Sequence, residues 1–235
     1  MTSEQPTEAY VWIWLPDATQ PIVAGRLEAV ADIVNFNYGR SYLERDDAIA
    51  LYLPELPLQS GRIPPLSGLK VAGCIADATP DAWGQRMILR RMVGEGGAGV
   101  DLANLGPLTY LLQSASDRIG ALDFQLSPDE YVARDEGSAP LDELTQAAQR
   151  VEEGRPFSPV LDQALLRGSS IGGARPKALL IDGNRKLIAK FSSTTDRYAA
   201  VKGEYAAMEL ACRAGLDVAS VALEEVLGKD VLLIT

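Results

Sequence analysis

The sequence has 235 residues, 47% of them hydrophobic, and 22 Lys and Arg against 32 Asp and Glu give a net charge of −10. That apolar content builds a core and excludes a disordered chain, while the acidic balance makes the chain a poor nucleic-acid surface. Histidine is absent and cysteine occurs twice, which excludes Ser-His and Cys-His catalysis, a disulfide framework and a zinc pattern. No apolar run reaches the roughly 18–20 residues that a bilayer requires. Met1 to Glu8 carries two glutamates and no Lys or Arg, so it does not read as a signal peptide. A reducing, cytoplasmic compartment is expected, with no membrane and no direct nucleic-acid contact.

Ala9 to Leu15 reads as a strand ended by Pro16-Asp17, and Pro21 to Val30 as its hairpin partner, with Gly25 as a bulge or close approach. Ile33 to Tyr38 and Gly39 to Leu43 read as a further strand pair. Proline and glycine then make Pro54 to Gly73 an extended crossing segment. Thr79 suits an N-cap, Pro80 the first helical position and Asp81 the helix dipole. Trp83, Met87, Ile88 and Met92 form an apolar face, with Arg86, Arg90 and Arg91 on a solvated one. Gly94 and the glycines after it stop this helix. Pro107 to Gln113 is a helix candidate, Ile119 to Leu126 a strand candidate, and Leu141 to Glu153 has helical spacing. Ser158-Pro159 opens a further helix to Gly168.

Gly168-Ser169-Ser170-Ile171-Gly172-Gly173-Ala174-Arg175-Pro176-Lys177 follows. Its glycines let backbone N–H groups approach an anion, and Arg175 and Lys177 add positive charge at its exit. It is neither a Walker A loop nor a dinucleotide-binding fingerprint, because a strand follows instead of Gly-Lys-Ser/Thr or a helix. Taken alone, it also fits a surface hinge. Ala178 to Asp182 and Lys186 to Phe191 form a hairpin around Asp182-Gly183-Asn184. Lys190 lies in the second strand, where it reads either as a phosphate contact or as an outward lysine on an edge strand. Val201 to Ala214 is a helix with Gly215 at C′, and it carries Glu204 and Glu209. Val218 to Leu227, a Gly228-Lys229-Asp230 turn and Val231 to Ile234 close the chain. Strand lysine followed by helix glutamate is the order of a kinase N-lobe, where the two side chains pair. Glu204 is the chosen partner.

Several segments together resemble the HipA family, bacterial serine/threonine kinases that act as toxins of type II toxin–antitoxin systems. They are Trp14-Leu15-Pro16, Val23-Ala24-Gly25, Phe36 to Leu43, Asp77 to Arg86, Arg118 to Leu122, Ser170 to Lys177, Ile188 to Phe191 and Gly203 to Leu210. The resemblance implies an α+β fold. A small antiparallel N-terminal subdomain (1–115) and a connecting strand with helices (116–167) precede a kinase-like N-lobe (168–235). It implies ATP with Mg2+ bound through Gly172, Gly173, Ala174, Arg175, Pro176, Lys177 and Lys190, with Ser170 autophosphorylated. The catalytic and metal-binding residues of the family belong to a C-terminal helical lobe with no counterpart before Thr235, so no catalytic or metal residue is expected in this chain. The family pairs with a helix-turn-helix antitoxin (HipB-like), and its targets include aminoacyl-tRNA synthetases. A non-enzymatic module binding the antitoxin or a partner subunit is the alternative, and an unrelated binder of another anion ranks behind both.

Overall fold

The computed structural model describes residues 5–94, 105–118, 120–134, 139–153, 175–183 and 185–235. The fold is α+β with two antiparallel sheets. It divides into two compact units: Met1–Pro80 with Gly96–Arg134, and Asp81–Glu95 with Asp135–Thr235. Two elements cross the sequence segments read above. The helix after Pro80 belongs to the second unit, and a strand after residue 116 to the first.

The first unit holds β1 (Glu8–Ile13), β2 (Ile22–Val30), β3 (Ile33–Tyr38), β4 (Arg62–Ile63) and β5 (Leu122–Gln125), in the order β4-β3-β2-β1-β5. Val11 pairs with Gly25 but Trp12 with Val23, so β2 bulges by one residue at Ala24. Gly25 is required there. A Cβ on it would meet Phe36 Cζ at 2.6 Å and press on the Asn37 carbonyl oxygen, closer than real atoms approach. Strand alternation sends Val11, Ile13, Leu27, Phe36 and Phe124 into one core.

Gly39 to Leu43 is not a strand. Arg40–Leu43 is a one-turn helix, α1. Gly39 N–H makes the last bond to this sheet, on Ala24 O at 2.9 Å. The turn then brings Tyr42 back over Tyr38, with ring centroids 5.7 Å apart and planes within 7°. The Tyr42 hydroxyl donates to Ile49 O at 2.9 Å, so burial of both rings overrides the strand propensity of the segment. α2 (Gly73–Asp77) and α4 (Pro107–Gln113, with proline at its start) complete the unit. Asp123, fully buried, accepts from Arg118 Nε at 3.0 Å and Arg134 Nη2 at 2.6 Å on one oxygen. Its other oxygen accepts from Ser116 Oγ at 2.7 Å, Gln125 Nε2 at 2.9 Å and the Tyr131 hydroxyl at 3.0 Å.

The second unit holds α3 (Ala82–Gly94), α5 (Leu141–Glu152) and α6 (Ala200–Arg213). Its sheet contains β6 (Lys177–Asp182), β7 (Arg185–Phe191), β8 (Val221–Val226) and β9 (Lys229–Ile234), in the order β6-β7-β9-β8. Trp83, Met87, Leu144, Ala148, Phe191 and Val231 share its core. Asp81, not Thr79, caps α3. Its Oδ1 accepts from the N–H groups of Trp83 and Gly84, both at 2.9 Å, whereas Thr79 Oγ1 donates back to Ile75 O. The Arg86 guanidinium is exposed and lies 5.6 Å from the Trp83 ring centroid.

Gly215, at φ 83°, ends α6 with its N–H on Cys212 O, while Leu216 N–H reaches Ala211 O, a bond pattern that satisfies the last carbonyls of the helix. The final turn is Leu227-Gly228, both left-handed, because Val226 pairs with Lys229. The expected Gly228-Lys229-Asp230 turn is thus one residue late, since a two-residue loop matches the strand twist best. The hairpin β6–β7 closes with Asp182 opposite Arg185, and Arg185 pairs with the Asp182 carboxylate. The Ser158–Gly168 helix expectation lies outside the described residues.

Candidate functional site

The site grows from the middle of the second sheet. β7 is an inner strand, paired with β6 on one side and β9 on the other, which removes the edge-strand reading of Lys190. Its neighbours across the two ladders are Lys177 and Leu232. Directly opposed residues share a face, so Lys177 and Lys190 stand together, and Ala178 and Ala189 turn the other way into the core.

Lys190 Nζ donates to Glu204 Oε1. Glu204 occupies the second turn of α6, so the pair ties that helix to the inner strand. Glu209, the other candidate, lies 4.0 Å from Arg213 on the same helix. The side chains of Lys190 and Glu204 remain 27% and 37% exposed. At that exposure an ion pair contributes about 1 kcal/mol or less to stability, and the ammonium keeps donors for a further anion.

Lys177 differs. It is 2% exposed, and its Nζ donates to Asp81 Oδ2 at 2.8 Å. Its carbonyl accepts from the Trp83 indole N–H at 3.1 Å. Burial lowers the pKa of its ammonium, and the Asp81 carboxylate opposes that shift. Arg175 donates to Asp196, whose carboxylate also accepts from Ser193 N–H at 3.0 Å. Pro176 O accepts from Phe191 N–H at 3.0 Å. Glu152, at the end of α5, takes up the Ser193 hydroxyl and, at 3.0 Å, the Thr194 N–H. Arg175, Pro176, Glu152 and Asp196 border a cleft of about 360 Å³.

The structure therefore brings together Arg175, Pro176, Lys177, Lys190 and Glu204 from the sequence reading. Ser170, Gly172, Gly173 and Ala174 lie outside the described residues. Asp81, Trp83, Asp196 and Glu152 were missed as site neighbours. Asp81 read only as a helix-start residue, and nothing local marks a carboxylate whose partner lies 96 positions away. Among the described residues no group of three or more His, Cys, Asp and Glu could hold a metal ion, and no helix is long and apolar enough to cross a membrane.

Two family models match. Residues 13–125 match the HipA N-terminal domain, and residues 169–235 match the HipA-like C-terminal domain. No curated protein matches. Among solved structures, the fold is similar to HipA of Shewanella oneidensis MR-1, in a complex of the toxin–antitoxin system HipA and HipB with operator DNA. The TM-score is 0.50 at 18% identity, over 95% of this chain and 50% of that one. The chain thus spans about half the length of that relative. Residues 13–125 hold β2 to β5 and residues 169–235 hold β6 to β9, Lys190 and Glu204, and the chain belongs to the HipA family.

Proposed function

We propose that the second unit is the nucleotide-gripping part of a HipA-type serine/threonine protein kinase toxin. The observation that carries this reading is the Lys190–Glu204 pair, set on an inner strand and the helix that follows it. In kinases such a pair orients the lysine toward the α- and β-phosphates. Lys190 supplies the ammonium here, and Glu204 fixes its direction at little gain in stability.

Gly172 to Lys177 form the phosphate-facing loop and its exit, and Ser170 is the autophosphorylated residue. ATP, bound with Mg2+, supplies the phosphoryl group. By the family resemblance, the metal ligands and the catalytic aspartate belong to a C-terminal helical lobe and not to the residues of this chain. The protein substrate carries a serine or threonine hydroxyl, and an aminoacyl-tRNA synthetase is the family-type target. The setting is cytoplasmic, the compartment that suits two cysteines with no disulfide framework.

A second role is compatible with the first. The solved relative sits with HipB and operator DNA, and we infer a helix-turn-helix antitoxin as the partner of this chain. A net charge of −10 suits a subunit that leaves DNA contact to its partner.

Titration of the full chain with MgATP, comparing wild type with Lys190→Met, tests the nucleotide reading. The wild type is expected to gain thermal stability with ligand concentration, as any ligand that binds only the native state produces. The variant should lose roughly tenfold or more in affinity with its unliganded stability nearly unchanged. Equal affinity in the two proteins refutes it.

A further inference from the structure

We propose that Lys177 is a positioning residue and not a phosphate ligand, and that Asp81 at the head of α3 holds it so that Lys190 alone offers an ammonium to the nucleotide. This rests on the nucleotide reading above and divides the labour between two lysines that the sequence treats alike.

The two side chains leave the same face of neighbouring strands at directly opposed positions. Two ammonium groups so placed repel each other and would compete for one carboxylate. Each instead has its own, from a different helix. Lys190 takes Glu204 of α6, and Lys177 takes Asp81 at the start of α3. Their surroundings separate them further. Lys190 is 27% exposed and can turn an N–H toward an incoming oxygen, whereas Lys177 is 2% exposed. A triphosphate cannot reach that ammonium without displacing what covers it.

Asp81 is committed from both oxygens. One caps the first turn of α3 through Trp83 and Gly84, and the other receives Lys177. The indole of Trp83, itself fully buried, holds the carbonyl of the same lysine. The first turn of α3 thus grips Lys177 by side chain and by backbone. Lys177 is also the last residue of the glycine-rich motif and the first of β6. The grip therefore fixes the point where the motif joins the sheet.

The test compares four full-length proteins: wild type, Asp81→Asn, Lys177→Met and the double variant. Asparagine keeps the helix cap and removes the charge, and methionine keeps most of the side-chain volume. Each protein is unfolded in urea and titrated with MgATP. Breaking a buried pair from one side strands the other charge. Each single variant should therefore shift the folding equilibrium by about tenfold or more. The double variant should recover most of that loss, because both charges leave together. Its MgATP affinity should lie within about threefold of wild type, below the loss expected when a charge-assisted phosphate contact is removed.

Additive stability losses overturn the pair. A double variant that regains stability yet binds MgATP about tenfold or more weakly makes Lys177 a phosphate ligand and overturns its positioning role. If the wild type binds no MgATP, the preceding reading fails. The urea cycle then decides alone: coupling keeps Lys177 as the anchor of the motif exit, and additivity removes it.

Discussion

Replacing Asp123 by Asn changes one atom type and no volume, so it isolates charge from packing. In the wild type, five donors converge on a carboxylate with no solvent exposure, two of them from guanidinium groups. The Arg118 side chain is itself only 3% exposed, and burial lowers its pKa. Asparagine offers one acceptor oxygen and turns its NH2 toward donors that have nowhere else to go. Arg118 then remains charged and buried with its counter-ion gone, which costs about 3–5 kcal/mol. Domains of this size hold only about 5–15 kcal/mol, so the first unit should unfold at much lower urea. Trp12 packs tilted and Trp14 edge-on against Tyr131, with ring centroids at 5.4 and 5.3 Å, and Tyr131 donates to Asp123. The near-ultraviolet circular dichroism of that aromatic cluster therefore reports the transition. A loss below about 1 kcal/mol, the scale of a solvated ion pair, would mean that water reaches the carboxylate and would refute the reasoning.

Two further outcomes are expected. Gly25→Ala should cost about 3 kcal/mol or more, because the added methyl meets the Phe36 ring and the Asn37 carbonyl across β3, and overpacking against backbone cannot relax. Urea unfolding of that variant checks it, and a near-neutral result would mean that the bulge opens freely. Tyr38 and Tyr131 are both pushed up to about 12, chiefly by burial. A raised tyrosine pKa gives stability that is complete below the ordinary value near 10 and is lost as pH rises through the folded value. Stability should accordingly fall between about pH 10 and 12, and phenolate absorbance from these two rings should appear only with unfolding. Ionisation of every tyrosine near 10 in the folded protein would contradict this.

Most elements were legible because their signals are local. Apolar alternation marks β1 and β2, Pro107 opens α4 and Gly215 closes α6, and Gly183, at φ 58°, follows β6. The Lys190 and Glu204 proximity was also legible, since a strand lysine and a helix glutamate one turn into the next element recur in that order. What failed depends on partners far away in sequence. Gly39 to Leu43 has the composition of a strand, but the demand of Tyr42 for the face of Tyr38 decides its conformation. Thr79-Pro80 looks like a helix start, but the ammonium that stabilises Asp81 as the cap arrives 96 residues later. The five donors around Asp123 come from a strand, its neighbouring loops and the segment after it, with no spacing rule to announce them.

The place of α3 in the chain order has a consequence for biosynthesis. Trp83 is fully covered in the finished protein, and its indole N–H waits for a carbonyl 94 residues downstream. At about 5–20 residues per second on a ribosome, that helix leaves the exit tunnel roughly 5–20 seconds before β6 exists to receive it. For that interval Trp83 and Met87 form a naked apolar stripe on a nascent chain, and for the first part of it the first sheet also lacks β5. The segment is where a trigger-type chaperone would be expected to hold the growing polypeptide.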